Sequence, residues 1–327
     1  MRRFKKYLVI TVLASIALKA DAQQTIQLSQ YMFNGLALNP AYAGYKGDWT
    51  LNASSRIQWV GINDAPQTET LSADGLLNSN DQNVGVGVIA TVDKLGPESN
   101  SSFYANYAYR LQLDNLDTRR LCFGIGVGFS DYSLDGSKLV AIDEGDTYIP
   151  AGTESKITPD FRFGAYYYSP NFYAGASVFN LASGAFNSLT DNPEIIKPVP
   201  TLYVTAGGLV PLSPDIDLKP SAMIEEDFKG PTNLDLTTYL AFSRRFWIGG
   251  SYRFGITAWN SNLQSNLNEE DAAAAIVQFY VSDNVRIGYA YDFTTSKLAS
   301  YQNGTHEVSV SITLPGKKER VVSPRYF

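Results

Sequence analysis

Leu121 to Ser130 reads LCFGIGVGFS, and this stretch decides the fold. Leu121, Phe123, Ile125, Val127 and Phe129 alternate with Cys122, Gly124, Gly126, Gly128 and Ser130. A period of two puts each set on its own face of a strand, one face large and apolar, the other almost bare. Val84, Val86, Val88, Ala90 and Val92 repeat the pattern against Gly85, Gly87, Ile89 and Thr91. In Val285, Ile287, Tyr289, Tyr291 and Phe293, set against Arg286, Gly288, Ala290 and Asp292, the second face carries charge, as a polar lumen would. A water-soluble sandwich also alternates, so a single strand leaves both architectures open.

The chain as a whole favours a membrane barrel. With 21 Tyr, 17 Phe and 4 Trp it is 13% aromatic, and many of these residues fall near strand ends, where interfacial girdles form. Mean hydropathy is −0.14, and no apolar run beyond the N-terminus is long enough for a membrane helix. A closed sheet is the other structure that satisfies every backbone group in lipid. Strands are expected near 49–59, 67–76, 83–92, 99–113, 119–134, 158–168, 172–179, 200–210, 216–227, 231–242, 245–257, 272–281, 284–294 and 304–314. That makes an all-β antiparallel barrel of about fourteen strands, with both ends in the periplasm. Ser169–Asn171, Ser243–Arg244 and Ser282–Asp283 then fall together as tight periplasmic turns, and the long connectors 135–157, 180–199 and 258–271 fall outside.

Four domains of behaviour follow. Arg2, Arg3, Lys5 and Lys6 precede an apolar run from Tyr7 to Leu18 and the small residues of Ala20-Asp21-Ala22, so residues 1–22 read as a secretory signal peptide. The run is shorter than the roughly 20 residues of a membrane anchor. Residues 23–47 mix Tyr31, Met32, Phe33, Leu36, Leu38 and Tyr42 with Asn and Gly, more apolar surface than water tolerates. This segment is expected to plug the periplasmic mouth, to meet a periplasmic partner through Tyr31 and Phe33, or to fold on the barrel wall. Residues 48–314 form the barrel, and 315–327 a basic periplasmic tail whose Lys317, Lys318, Arg320 and Arg325 could dock on an acidic partner.

Removing the leader leaves 21 basic against 31 acidic side chains, a net charge of −10 that argues against nucleic acid as a partner. The lumen register holds Arg56, Arg110, Arg162, Arg245, Arg253 and Arg286, opposed by Glu225, Asp235, Asp292 and Glu307. Cross-linking ion pairs are the expected role, because a narrow lumen penalises unpaired charge. In the outer connectors Tyr148, Phe186 and Trp259 are candidate interface anchors, with Asp143 and Glu144 beside them. Catalysis is not expected. His306, the only histidine, shares the lipid-facing parity of Val308 and Val310, while the acids near it point inward. One His and one Cys leave no cluster for a metal, and no cofactor motif is present.

Ser29–Gly44 reads SQYMFNGLALNPAYAG, followed by QWVGINDAPQTETLS from Gln58, NVGVGV from Asn83, YAYRLQL from Tyr107, NFYAGASVFN from Asn171, GYAYD from Gly288 and GTHEVSVSI from Gly304. Together they resemble the PorP/SprF family of the type IX secretion system. Gly35 departs from the family pattern, which has proline after the YMFN run. The resemblance implies an outer-membrane barrel, in Bacteroidota-type bacteria, that acts with the periplasmic ring and motor. It also implies help in secreting or anchoring cargo with C-terminal sorting domains, including gliding-motility adhesins. A passive channel for small solutes is the alternative.

Overall fold

The computed structural model describes residues 27–78, 82–139, 152–182, 199–243, 245–259 and 270–315. The strands are β1 (Trp49–Ile57), β2 (Gln67–Leu76), β3 (Val84–Leu95), β4 (Glu98–Gln112), β5 (Arg120–Asp135), β6 (Thr153–Tyr168) and β7 (Phe172–Phe179). They continue as β8 (Thr201–Gly208 with Val210–Ser213), β9 (Ile216–Glu226), β10 (Thr232–Phe242), β11 (Phe246–Ile256), β12 (Glu270–Ser282), β13 (Val285–Thr294) and β14 (Thr305–Leu314). Every neighbour in sequence pairs antiparallel, and β14 pairs with β1 from Trp49↔Leu314 to Ile57↔His306. The sheet therefore closes into a fourteen-stranded barrel, the closed form that a lipid environment requires, and β6 outruns β7, which it meets only from Phe163 to Tyr168.

β8 is broken at Leu209. Both pieces pair with β9, the first at Ser221–Glu226 and the second at Ile216–Leu218, while Leu209 donates its N–H to Asn171 O at 2.9 Å. Connectors 169–171, 214–215 and 283–284 lie at one end, called inner here. Connectors 58–66 and 295–304 and the C-terminal ends of β5, β7 and β11 lie at the other, outer end.

The period-two faces separate as the sequence implies. Leu51, Val88, Phe123, Ile125, Val127, Ile248, Val277 and Ile312 cover the outside, with Trp49, Tyr109, Phe172 and Phe246 towards the inner end and Phe103, Phe129, Tyr252 and Phe293 towards the outer. A soluble sandwich would bury one of these faces against a second sheet; here the apolar face is the exposed one. Gly124, Gly164, Asp292 and Glu307 face inwards, where they meet residues 28–45 rather than open space.

Candidate functional site

The plug is continuous from the outer to the inner end of the lumen. It opens at the level of Gln27, which accepts from Arg253 Nη1 at 3.3 Å, and enters β1 after Asp48. Between them lie a short 3-10 turn at Tyr31–Phe33, one helical turn at Gly35–Leu38 and a second 3-10 turn at Pro40–Tyr42. The segment reaches the outer half of the lumen, well beyond the periplasmic mouth expected for it. Tyr31 and Phe33 are 1% and 6% exposed, so they bind the wall and offer no surface to a periplasmic partner.

In the outer half the attachment is polar. Ser29 donates its N–H to Glu307 at 2.7 Å and its hydroxyl to Asp292 at 2.7 Å, and it accepts from Arg56 Nη1 at 2.8 Å. Arg56 pairs with Asp292 at 2.7 Å and with Glu307 at 3.1 Å. One guanidinium thus holds β1, β13, β14 and the plug in register. Gln30 donates to the Glu307 carbonyl at 3.1 Å and accepts from Gln278 and Ser309 at 2.6 and 2.7 Å. Arg253 pairs with Asp235 at 3.0 Å on the adjacent strand, and Glu225 is buried beside them.

In the inner half the attachment is aromatic. Tyr42 and Tyr45 pack on each other at 4.9 Å and against Tyr166 and Tyr168 edge-on, with Tyr173 stacked on Tyr166 at 5.7 Å. Across the lumen, Phe33 packs on Tyr239 and Trp247 at 5.3 and 5.2 Å, while the Arg286 guanidinium lies 4.1 Å over Phe33 and the Lys219 ammonium 4.1 Å over Trp247. Desolvated cation–π contacts of this kind are worth about 2 kcal/mol. Arg110 donates to Tyr168 Oη at 2.7 Å and, with Arg120, to the carbonyl of Gln82.

The bare strand faces are where the plug comes closest. A Cβ on Gly124 would collide with the Ala41 backbone, and one on Gly85 with the Ala43 carbonyl. A side chain on Gly35 would strike the Tyr42 ring, so Gly35 is a close contact within the plug.

Among the sequence candidates, Arg56, Arg253, Asp292 and Glu225 join the outer charge belt, while Arg110 and Arg286 hold the inner seal. Arg162 takes a third role, clamped between Tyr104 at 3.2 Å and Phe179 at 4.2 Å. Arg245 is a correction: it is 61% exposed, paired with Asp283 at 3.0 Å in the inner turns, because β11 begins only at Phe246. Trp259 is 59% exposed at the outer end and meets Phe228, itself 56% exposed, at 6.4 Å. Phe228 was not picked out from the sequence; the Asp227-Phe228-Lys229-Gly230 turn was its only signal. Tyr148, Phe186, Asp143, Glu144, Lys317, Lys318, Arg320, Arg325 and the leader lie outside the described residues. His306 lies on the outer face, its Nδ1 2.7 Å from Tyr289 Oη.

A cavity of about 180 Å³ opens between the plug and strands β2–β8 at the outer end.

Solved structures with similar chain paths include the Acinetobacter baumannii outer membrane protein Omp33, 10% identical, covering 82% of this chain and 98% of that one with a TM-score of 0.46. The Ralstonia pickettii toluene transporter TbuX is 8% identical, covering 85% and 92% with a TM-score of 0.48. A search of curated proteins finds no match. The family model for the type IX secretion system membrane protein PorP/SprF matches residues 20–312, nearly the whole barrel and plug, and the chain belongs to that family of outer-membrane type IX secretion components.

Proposed function

We propose that this barrel helps secrete or anchor specific cargo at the cell surface, cargo with a C-terminal sorting domain such as a gliding adhesin, and does so by recognition rather than catalysis. The observation that carries the reading is the filled lumen: residues 28–45 occupy it from the outer charge belt to the inner tyrosine seal. A barrel that spans the membrane and transmits nothing through its centre acts through its two ends. At the outer end the exposed Phe228–Trp259 pair supplies the large aromatic anchors of a protein interface. At the inner end the periplasmic ring and motor components are the partners.

Purification from the native outer membrane in mild detergent, followed by mass spectrometry, tests this. Recovery of a large surface protein with a sorting domain, or of ring components, is the expected result. Recovery of the barrel alone, together with stable conductance in a planar bilayer, would overturn it in favour of a passive solute channel. Deleting the 136–152 connector is expected to remove cargo from the surface while the barrel stays in the membrane. His306→Ala is expected to leave display unchanged.

A further inference from the structure

The barrel wall is uneven at its outer end. β5 and β6 have 16 residues each and pair along their whole length, from Arg120↔Tyr168 to Asp135↔Thr153, whereas β7 has 8 residues and meets β6 only from Phe163 to Tyr168. One more bond follows, from the Leu181 N–H to the Phe161 carbonyl at 3.3 Å, and above it no described residue shares a ladder with that side of β6. The bonds already made set the direction of the backbone. Phe161 turns its carbonyl to the β7 side, and Gly152 turns its own to the β5 side, where it accepts from the Gly136 N–H at 3.1 Å. Odd-numbered residues therefore face the open side. Thr153, Ser155 and Ile157 present a row of N–H groups and carbonyls there, and Pro159, with a carbonyl but no N–H, ends the row at its base. A strand of 16 residues tilted by about 40° rises roughly 40 Å, against an apolar band about 25 Å tall. This part of β6 thus stands in the external medium, as its Thr153-Glu154-Ser155-Lys156 sequence suits, and β5 holds it extended from the other side.

We propose that Thr153–Ile157 is the surface on which the secreted partner docks, by adding an extended segment of its own chain to the sheet as one more strand. The inference rests on the cargo reading and names the surface and the mode. An open strand edge recognises backbone, so its demand on the partner is conformational: about five extended residues with N–H groups and carbonyls free to meet those of Thr153, Ser155 and Ile157. Ile157, 66% exposed on the outer face, favours a β-branched or apolar residue beside it. A second copy of the barrel does not meet that demand. Two copies in one membrane share its normal, so their β6 strands, tilted by about 40° in opposite senses, would cross at about 80°, whereas neighbouring strands cross at about 25°.

The test is hydrogen–deuterium exchange across residues 153–158, compared between the full chain in native outer-membrane vesicles and the same chain purified in detergent. The amides of Thr153, Ser155 and Ile157 are expected to exchange about a hundredfold more slowly in the vesicles, while those of Glu154 and Lys156, which face β5, are slow in both. Ser155→Pro removes one open-side N–H, as Pro159 does already, and leaves the β5 ladder intact. Recovery of the surface protein that co-purifies with the wild-type barrel is expected to fall about tenfold with Ser155→Pro and to stay at the wild-type level with Ser155→Ala, which keeps the N–H. Slow exchange at the three amides in the purified chain would show the edge filled from within, and fast exchange in both preparations would show it empty. A disulfide-linked dimer of Ser155→Cys in the vesicles would put a second copy there. Each of these results overturns the proposal. Undiminished recovery with Ser155→Pro overturns it as well and leaves the cargo reading standing, whereas absence of any surface protein with the wild-type barrel overturns both.

Discussion

The two halves of the lumen hold the same plug by opposite means. The outer half uses two buried arginines, Arg56 and Arg253, the carboxylates of Asp292 and Glu307, and Gln27, Ser29 and Gln30 of the plug, with directional bonds of 2.6–3.3 Å. The inner half uses six tyrosines, Phe33, a tryptophan and two stacked cations, mostly without direction. Directional bonds fix where the plug sits; aromatic burial supplies the energy that keeps it there. The side that must stay shut is the greasy one, and the side left with a cavity is the polar one.

Deleting residues 28–45 breaks the comparison outright. Conductance in a planar bilayer is expected to rise from near baseline to that of an open pore, since no other described segment crosses the lumen. Equal conductance before and after deletion would mean that neither half seals. Next in size is Arg56→Met, which leaves Asp292 and Glu307 buried without their cation. A loss of about 3–5 kcal/mol is expected for a broken buried pair. Adding Asp292→Asn and Glu307→Gln should restore much of it, because the charge left behind, not the lost attraction, dominates. Urea unfolding in detergent micelles measures both.

Tyr45→Ala probes the other half. Tyr45 is 2% exposed and packs at 4.8 Å on Tyr168. Loss of its burial and ring contacts should cost about 2–4 kcal/mol. The distinguishing readout is leakage: Tyr45→Ala is expected to admit brief conductance steps. Arg56→Met, by contrast, should shift the plug's register and keep the inner seal. If Arg56→Met leaks and Tyr45→Ala does not, the division of labour is reversed.

Much of this was legible in the sequence because alternation reports which face a residue occupies. It gave the fourteen strands and the inward set of Arg56, Arg110, Arg253, Arg286, Asp292 and Glu307. Alternation does not report what fills the interior. Tyr239 and Trp247 pack on Phe33, Gly249 opposite Tyr239 leaves that ring room, and the plug's path depends on contacts more than a hundred residues away. Gly85 and Gly124 read as a bare strand face before they could be read as seats for Ala43 and Ala41. Arg245 misled because parity continues into a turn on paper, whereas the strand starts at Phe246. The break at Leu209 had no signal in the pattern, and β6 begins five residues before the expected position because Thr153–Ile157 carries little alternation.

The smallest effect on the barrel is expected where the largest effect on function is proposed. Phe228→Ala with Trp259→Ala removes two side chains that touch chiefly each other and solvent, so stability should change by less than about 0.5 kcal/mol and conductance should stay at baseline. Both halves of the lumen are untouched. Cargo retention is another matter: truncating paired aromatic anchors typically costs an interface about 2 kcal/mol or more, a factor near thirty in affinity. Surface display of cargo, measured by antibody binding to intact cells, should therefore fall while the amount of barrel in the membrane does not. Full display with the double variant would remove these rings from the interface and shift attention to the connectors around them. A parallel loss of barrel would show instead that the two rings brace the connectors on which the outer mouth depends.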